Sequence, residues 1–146
     1  MRATLLTAVL VLGGCAGSSA SRPTINDVMA RYDWAGSFDD GLRKAKLLDK
    51  PSILFFYHGL CWECRTLLLD VAADVRAADL LDHFVVIAVN TSTDRPIFKR
   101  YGVKKVPDIR YLSPGGEELD KMTDRTPKAI ADQLERILGR LGRLSN

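Results

Sequence analysis

The feature that most constrains this chain is a junction. Residues 52–57, Ser-Ile-Leu-Phe-Phe-Tyr, form a nearly continuous apolar run with aromatic and β-branched character, as expected for a strand buried on both faces. His58-Gly59-Leu60 then turns the chain into a segment that begins near Cys61 and carries Leu67, Leu68 and Val71 as a helix would. A further helical piece over residues 75–81 leads to a second buried strand, residues 83–90. Strand, helix and strand in this order predict a right-handed parallel unit.

The flanks complete a mixed sheet with helices on both faces. Upstream, residues 32–34 read as a short edge strand or extended entry. Ser37 caps a helix over residues 38–48, with Phe38, Leu42, Ala45 and Leu48 at helical spacing and Lys50-Pro51 ending it. Downstream come a short helix over residues 96–101, the turn at Gly102 and a strand over residues 108–112. Ser113-Pro114-Gly115-Gly116 is a hairpin signal, so the strand after it, residues 117–122, runs antiparallel to its predecessor. A last helix, residues 127–141, places Ile130, Leu134, Ile137, Leu138 and Leu141 on one face. With 146 residues, 47% of them hydrophobic, there is room for one packed core, and the folded unit is residues 25–146.

The chemistry sits at the junction, in Cys61-Trp62-Glu63-Cys64. Two cysteines three positions apart on a first helical turn can bring their sulfurs within bonding distance, and the unpaired N–H groups of the helix start favour a thiolate at the first. An exposed Cys61 would attack a partner's disulfide, and Cys64, one turn inward, would resolve the mixed disulfide. Three other uses compete. A structural zinc site wants four ligands, and the folded part offers only the two cysteines with His58 and His83. A copper carrier would use the soft sulfurs with His58. A passive disulfide would close a loop too small to constrain the unfolded chain much.

Around the pair, Glu63 places a negative charge that opposes the Cys61 thiolate and favours the disulfide, while His58 and Arg65 act the other way. Val106-Pro107 enters the strand that this topology sets opposite the cysteine turn. A proline there donates nothing to the sheet, and a cis bond would set the Val106 backbone beside the sulfurs, open to pairing with a partner's extended segment. Arg136, Arg140 and Arg143 read as the solvated face of the last helix.

The N-terminus is of another kind. Arg2 precedes an apolar run over residues 3–12 that ends in Leu12-Gly13-Gly14-Cys15, the layout of a secretory signal whose last tetrad resembles a bacterial lipobox. Residues 1–14 are then the signal peptide, Cys15 the lipidated mature N-terminus and residues 15–24 a flexible tether of about 17 Å mean span. Lipidation of Cys15 leaves Cys61 and Cys64 as the paired thiols of an exported domain. The balance of 21 basic and 18 acidic residues gives no long block of one sign to suggest nucleic-acid binding.

Over residues 32–138 the chain resembles the thioredoxin superfamily, and most of all the thioredoxin-like domains of bacterial thiol-disulfide interchange proteins. The shared features are Trp34, Ala45-Lys46, Lys50-Pro51, the strand 53–57, Cys61 to Cys64, Gly102-Val103, Val106-Pro107 and the 113–116 turn. The resemblance implies a thioredoxin-like fold and no cofactor or metal. Its implied activity is exchange or reduction of disulfides through Cys61 and Cys64, with Val106, Pro107 and Trp62 docking the substrate. Its implied partners are exported proteins with disulfides and a membrane thiol-disulfide electron donor. The implied place is the cell envelope, facing the periplasm or exterior, with Ala16 after the lipidated Cys favouring the outer membrane. Three departures stand out. Phe55 occupies the position of a buried acid that assists proton transfer in many thioredoxins, Leu60 stands where a Trp usually precedes the first Cys, and Asp108 follows the proline where Thr is common.

Overall fold

A computed structural model describes residues 25–30, 32 and 34–144. The signal, Cys15, the tether, Asp33 and the last two residues lie outside the described residues. The elements are α1 (Ile25–Met29), α2 (Phe38–Leu48), β1 (Ser52–Tyr57), α3 (Trp62–Ala73), α4 (Val75–Leu81), β2 (Val85–Asn90), α5 (Arg95–Arg100), β3 (Asp108–Leu112), β4 (Glu118–Lys121) and α6 (Pro127–Arg140).

The strands form one sheet in the order β2-β1-β3-β4. β1 and β2 run parallel, paired from Ser52↔Val85 to Tyr57↔Asn90, whereas β3 is antiparallel to both β1 and β4. The alternation of side chains along a strand splits the core in two. Ile53, Phe55, Val86, Ile109 and Tyr111 point toward α1, α3, α4 and α6, and Leu54, Phe56, Val85, Ile87, Val89 and Leu112 point toward α2 and α5. The expected mixed sheet with helices on both faces is present, and the fold is thioredoxin-like α/β.

Local chemistry sets the element ends. Ser37 caps α2, its Oγ accepting the Asp40 N–H at 3.1 Å, and Asp49 closes that helix in the left-handed region with φ 51°. Thr126 caps α6 ahead of Pro127, whose missing N–H costs nothing in a first turn. The buried Gln133 of α6 donates from Nε2 to the Lys121 carbonyl at 2.7 Å, fixing that helix to β4.

Four expectations need correction. Residues 32–34 make no edge strand among the described residues. The extended entry reduces to a single parallel bridge, Ala35 to Ile87, with the Ala35 N–H donating to the Val86 carbonyl at 2.9 Å. Leu48 is half exposed, because α2 lays Phe38, Gly41 and Ala45 on the sheet and turns its last residues outward. Gly41 is required there: a Cβ would stand 2.4 Å from Ile87 Cγ1. The segment just before the bridge contains α1, which the sequence reading did not anticipate. Finally, Cys61 is buried.

Candidate active site at the Cys61–Cys64 disulfide

β1 delivers the chain to the end of the sheet, and residues 58–60 fold it back under two hydrogen bonds. The Leu60 N–H donates to His58 Nδ1 at 3.3 Å and the Cys61 N–H to the His58 carbonyl at 3.0 Å. His58 therefore shapes the turn that presents the first cysteine. Cys61 is the N-cap of α3, its Sγ accepting the Cys64 N–H at 3.1 Å. A donor at the positive end of a helix is well placed to hold negative charge on that sulfur once the pair is reduced. The two cysteines are joined as a disulfide with S–S 2.03 Å and Cα–Cα 5.2 Å.

The sulfurs are covered unequally. Cys64 is fully sealed, at 0% exposure, and Cys61 is only 4% exposed. Cys61 nevertheless lines an open cavity of about 250 Å³ together with Ile25, Gly59, Leu60, Trp62 and Arg65. The expected surface position of Cys61 fails: both cysteines belong to a buried cluster that Ile25 joins through the packing of α1 on α3. The rim is apolar and wet: Leu60 is 94% and Trp62 57% exposed. The Arg65 guanidinium lies 4.8 Å from the Trp62 ring centroid, which holds it beside the pocket and not out in solvent. Glu63 is exposed on the first turn of α3.

The Val106–Pro107 bond is cis. The β1–β3 pairing ends at Phe56↔Asp108, so Val106-Pro107 enters the sheet at the end where β1 gives way to the cysteine turn. Val106 packs against the cluster that holds both cysteines. Asp108, the residue after the proline, is held by Arg110, whose Nε and Nη2 donate to its two carboxylate oxygens at 2.7 and 3.2 Å. Arg110 also reaches Glu118 at 2.9 Å, and these carboxylates hold its guanidinium firmly protonated. Asp108 thus serves the β3–β4 edge.

Phe55 lies beneath the cysteine helix at 1% exposure, edge-on to Trp34 with centroids 5.7 Å apart and stacked on Tyr57 at 6.0 Å. An aromatic wall fills the place of an acid. Burial pushes the Tyr111 hydroxyl far above its ordinary range, and that hydroxyl and Trp34 Nε1 are buried without a hydrogen-bond partner among the described residues. Both residues line an apolar cavity of about 40 Å³ between α3 and the sheet.

The structure brings together Cys61, Cys64, Trp62, His58, Val106 and Pro107 at one end of the sheet. Sequence reasoning missed Ile25 and Leu60 as walls of the Cys61 pocket; the one signal for Ile25 was its being the first apolar residue after the tether. Among the described residues, no group of three or more His, Cys, Asp and Glu side chains stands close enough to hold a metal ion, and no helix is long and apolar enough to cross a membrane.

No protein-family model and no curated protein matches the chain. Solved structures do. A thioredoxin from Thermus thermophilus superposes with TM-score 0.64 at 22% identity, over 73% of this chain and 87% of that one. A disulphide isomerase from Xylella fastidiosa Temecula1 gives TM-score 0.55 at 20% identity, over 68% and 86%. A DsbH oxidoreductase gives 0.60 at 18% identity, over 75% and 83%. Fold and site together define a thioredoxin-like α/β domain. It carries a CxxC cysteine pair closed as a disulfide at the head of a helix.

Proposed function

We propose that this chain is a thiol-disulfide oxidoreductase that reduces or exchanges disulfides in exported proteins, with Cys61 as nucleophile and Cys64 as resolving thiol. The observation that carries this reading is the asymmetry of the pair: Cys61 lines an open pocket at a helix N-cap, and Cys64 is sealed behind it. In the reduced domain the Cys61 thiolate attacks one sulfur of a substrate disulfide. A mixed disulfide forms and the substrate's other sulfur leaves as a thiolate. Cys64 then gives up its proton and attacks Cys61 Sγ. The Cys61–Cys64 bond closes, the second substrate thiolate departs, and two electrons have passed to the substrate. With Phe55 beneath the helix, this reading gives the Cys64 proton to a departing substrate sulfur. On this reading Trp62, Val106 and Pro107 dock the substrate chain.

On this reading the pair works as a donor, with Glu63 on the first helical turn opposing the Cys61 thiolate against Arg65 beside the pocket, and the potential lies nearer about −270 mV than about −120 mV. A membrane thiol-disulfide protein resupplies the electrons, and a lipid on Cys15 holds the domain at the cell envelope. Cys64→Ser should accumulate mixed disulfides with substrate proteins and Cys61→Ser should not; equal trapping by both, or by neither, overturns the assignment. Equilibration against dithiothreitol and glutathione buffers reads the direction, Glu63→Gln making the pair more oxidising. Mass spectrometry of the membrane-extracted protein should find an N-terminal peptide beginning at acylated Cys15.

A further inference from the structure

The nearly balanced total charge conceals an uneven distribution. Between residues 95 and 105 lie five cations, Arg95, Lys99, Arg100, Lys104 and Lys105, and no acid. The whole chain carries a formal charge of only +3, so the rest of the molecule is net negative. All five are exposed, and none makes an ion pair among the described residues. The acids that flank the segment are engaged elsewhere. Asp94 accepts from the Asn90 N–H and the Thr93 hydroxyl, each at 3.1 Å, and Asp108 is held by Arg110.

Helix electrostatics account for part of this. Lys99 and Arg100 occupy the last turn of α5, where the helix dipole favours cations, and Arg100 also stands 5.9 Å from the centroids of the Phe38 and Tyr101 rings. The same dipole disfavours Arg95 at the other end, and it does nothing for Lys104 and Lys105 in the loop beyond. Like charges gathered on one short segment repel, and no acid among the described residues offsets that repulsion with an ion pair. The segment also runs directly into Val106, which packs against the cluster that holds both cysteines.

Resting on the oxidoreductase reading, we infer that segment 95–105 is a docking surface for an acidic stretch of the substrate protein close to the cysteine being attacked. A substrate chain extended from Cys61 past Val106 continues onto these cations, and at about 3.3 Å per residue a few positions separate its cysteine from its acids. Opposite charge there raises the encounter rate and selects among exposed disulfides, and salt weakens both effects.

The test uses the full chain and three synthetic disulfide peptides that differ only in flanking residues: Asp/Glu, Ser/Gly or Lys. The acidic peptide should be reduced about tenfold faster than the lysine peptide at low ionic strength, with the ratio falling toward one as salt rises. The triple variant Lys99→Glu/Lys104→Glu/Lys105→Glu should invert the ratio, and Lys128→Glu on α6 should not move it. The ratio is taken within each variant, so a general loss of activity does not affect it. Equal rates on the three peptides, or a preference indifferent to salt, overturn the inference while leaving the oxidoreductase intact. Should no peptide and no small disulfide be reduced, the oxidoreductase reading has failed. Binding of a cysteine-free acidic peptide to the oxidised domain then decides the docking surface by itself. Binding to phosphatidylglycerol vesicles that needs the three lysines, without any peptide preference, would assign the segment to a membrane and overturn it as well.

Discussion

The two faces of the sheet are packed to different standards. Toward α2 and α5, Leu54, Phe56, Ile87, Val89 and Leu112 are fully buried, and the helix approaches so closely that position 41 has no room for a methyl group. Toward α3 and α6, beside the cysteines, the core holds an apolar cavity of about 40 Å³, with Trp34 Nε1 and the Tyr111 hydroxyl lacking a hydrogen-bond partner among the described residues. One sheet therefore has a closely packed side and a looser side where the cysteine pair sits. The looseness lies against α3, the helix whose first turn carries the disulfide.

Adding one methyl to each face should break the symmetry in opposite directions. On the tight face, Gly41→Ala gains about 1 kcal/mol in helix propensity but drives its Cβ to 2.4 Å from Ile87 Cγ1 and 3.0 Å from Ala35 Cβ. Overpacking costs typically about 1–3 kcal/mol and a 2.4 Å approach belongs at the upper end, about 2–3 kcal/mol, so the variant should lose about 1–2 kcal/mol net in urea denaturation. An unchanged or higher midpoint would mean that α2 can lift away and that the face is not tight.

On the loose face the sign reverses. Val86 lines the cavity, and Val86→Ile puts one more carbon into space already present, a gain of about 0.5–1 kcal/mol. A loss equal to that of Gly41→Ala would show the two faces to be packed alike.

The smallest effect concerns the outer layer of the loose face. The Gln133 side chain, helped by Arg136 and Arg140, holds the Asp120 carboxyl below its ordinary range. A carboxyl whose pKa is depressed on folding contributes stability above the unfolded value of about 3.9, and loses it as pH falls through the folded value. Asp120→Asn should therefore cost about 0.5 kcal/mol at pH 7 and progressively less below about pH 4. A deficit that stays constant down to pH 2 would trace the cost to something other than charge.

Much of this molecule was legible in the sequence because its signals are local. The unbroken run 52–57, the Ser37 cap and the 113–116 turn each fix an element within a few residues, and the CxxC spacing fixes the sulfurs within one helical turn. What escaped depends on distant contacts. α1 has five residues, too few to form from its own propensity, and it exists through its packing on α3. Cys61 shares its buried cluster and its pocket with Ile25, thirty-six positions away in sequence, and no spacing rule joins them. Gly41 reads in a sequence as a weak point of a helix, whereas the sheet beneath it makes it obligatory. The five cations of segment 95–105 were visible as letters, but that none of them makes an ion pair among the described residues needed coordinates.

Both sulfurs belong to the same buried cluster as Ile25, Leu67 and Ile130, so the redox couple is also a piece of the hydrophobic core. Reducing the folded domain, unfolding it, reoxidising the open chain and refolding form a closed thermodynamic cycle. Whatever free energy the folded surroundings add to the bonded pair over two separate thiols must reappear as the difference in folding stability between the oxidised and reduced chains. For this two-electron couple about 30 mV corresponds to about 1.4 kcal/mol. A pair of urea titrations, one with and one without reductant, thus serves as a voltmeter for the site, and core substitutions far from the sulfurs tune its reading whenever they favour one oxidation state of the cluster over the other.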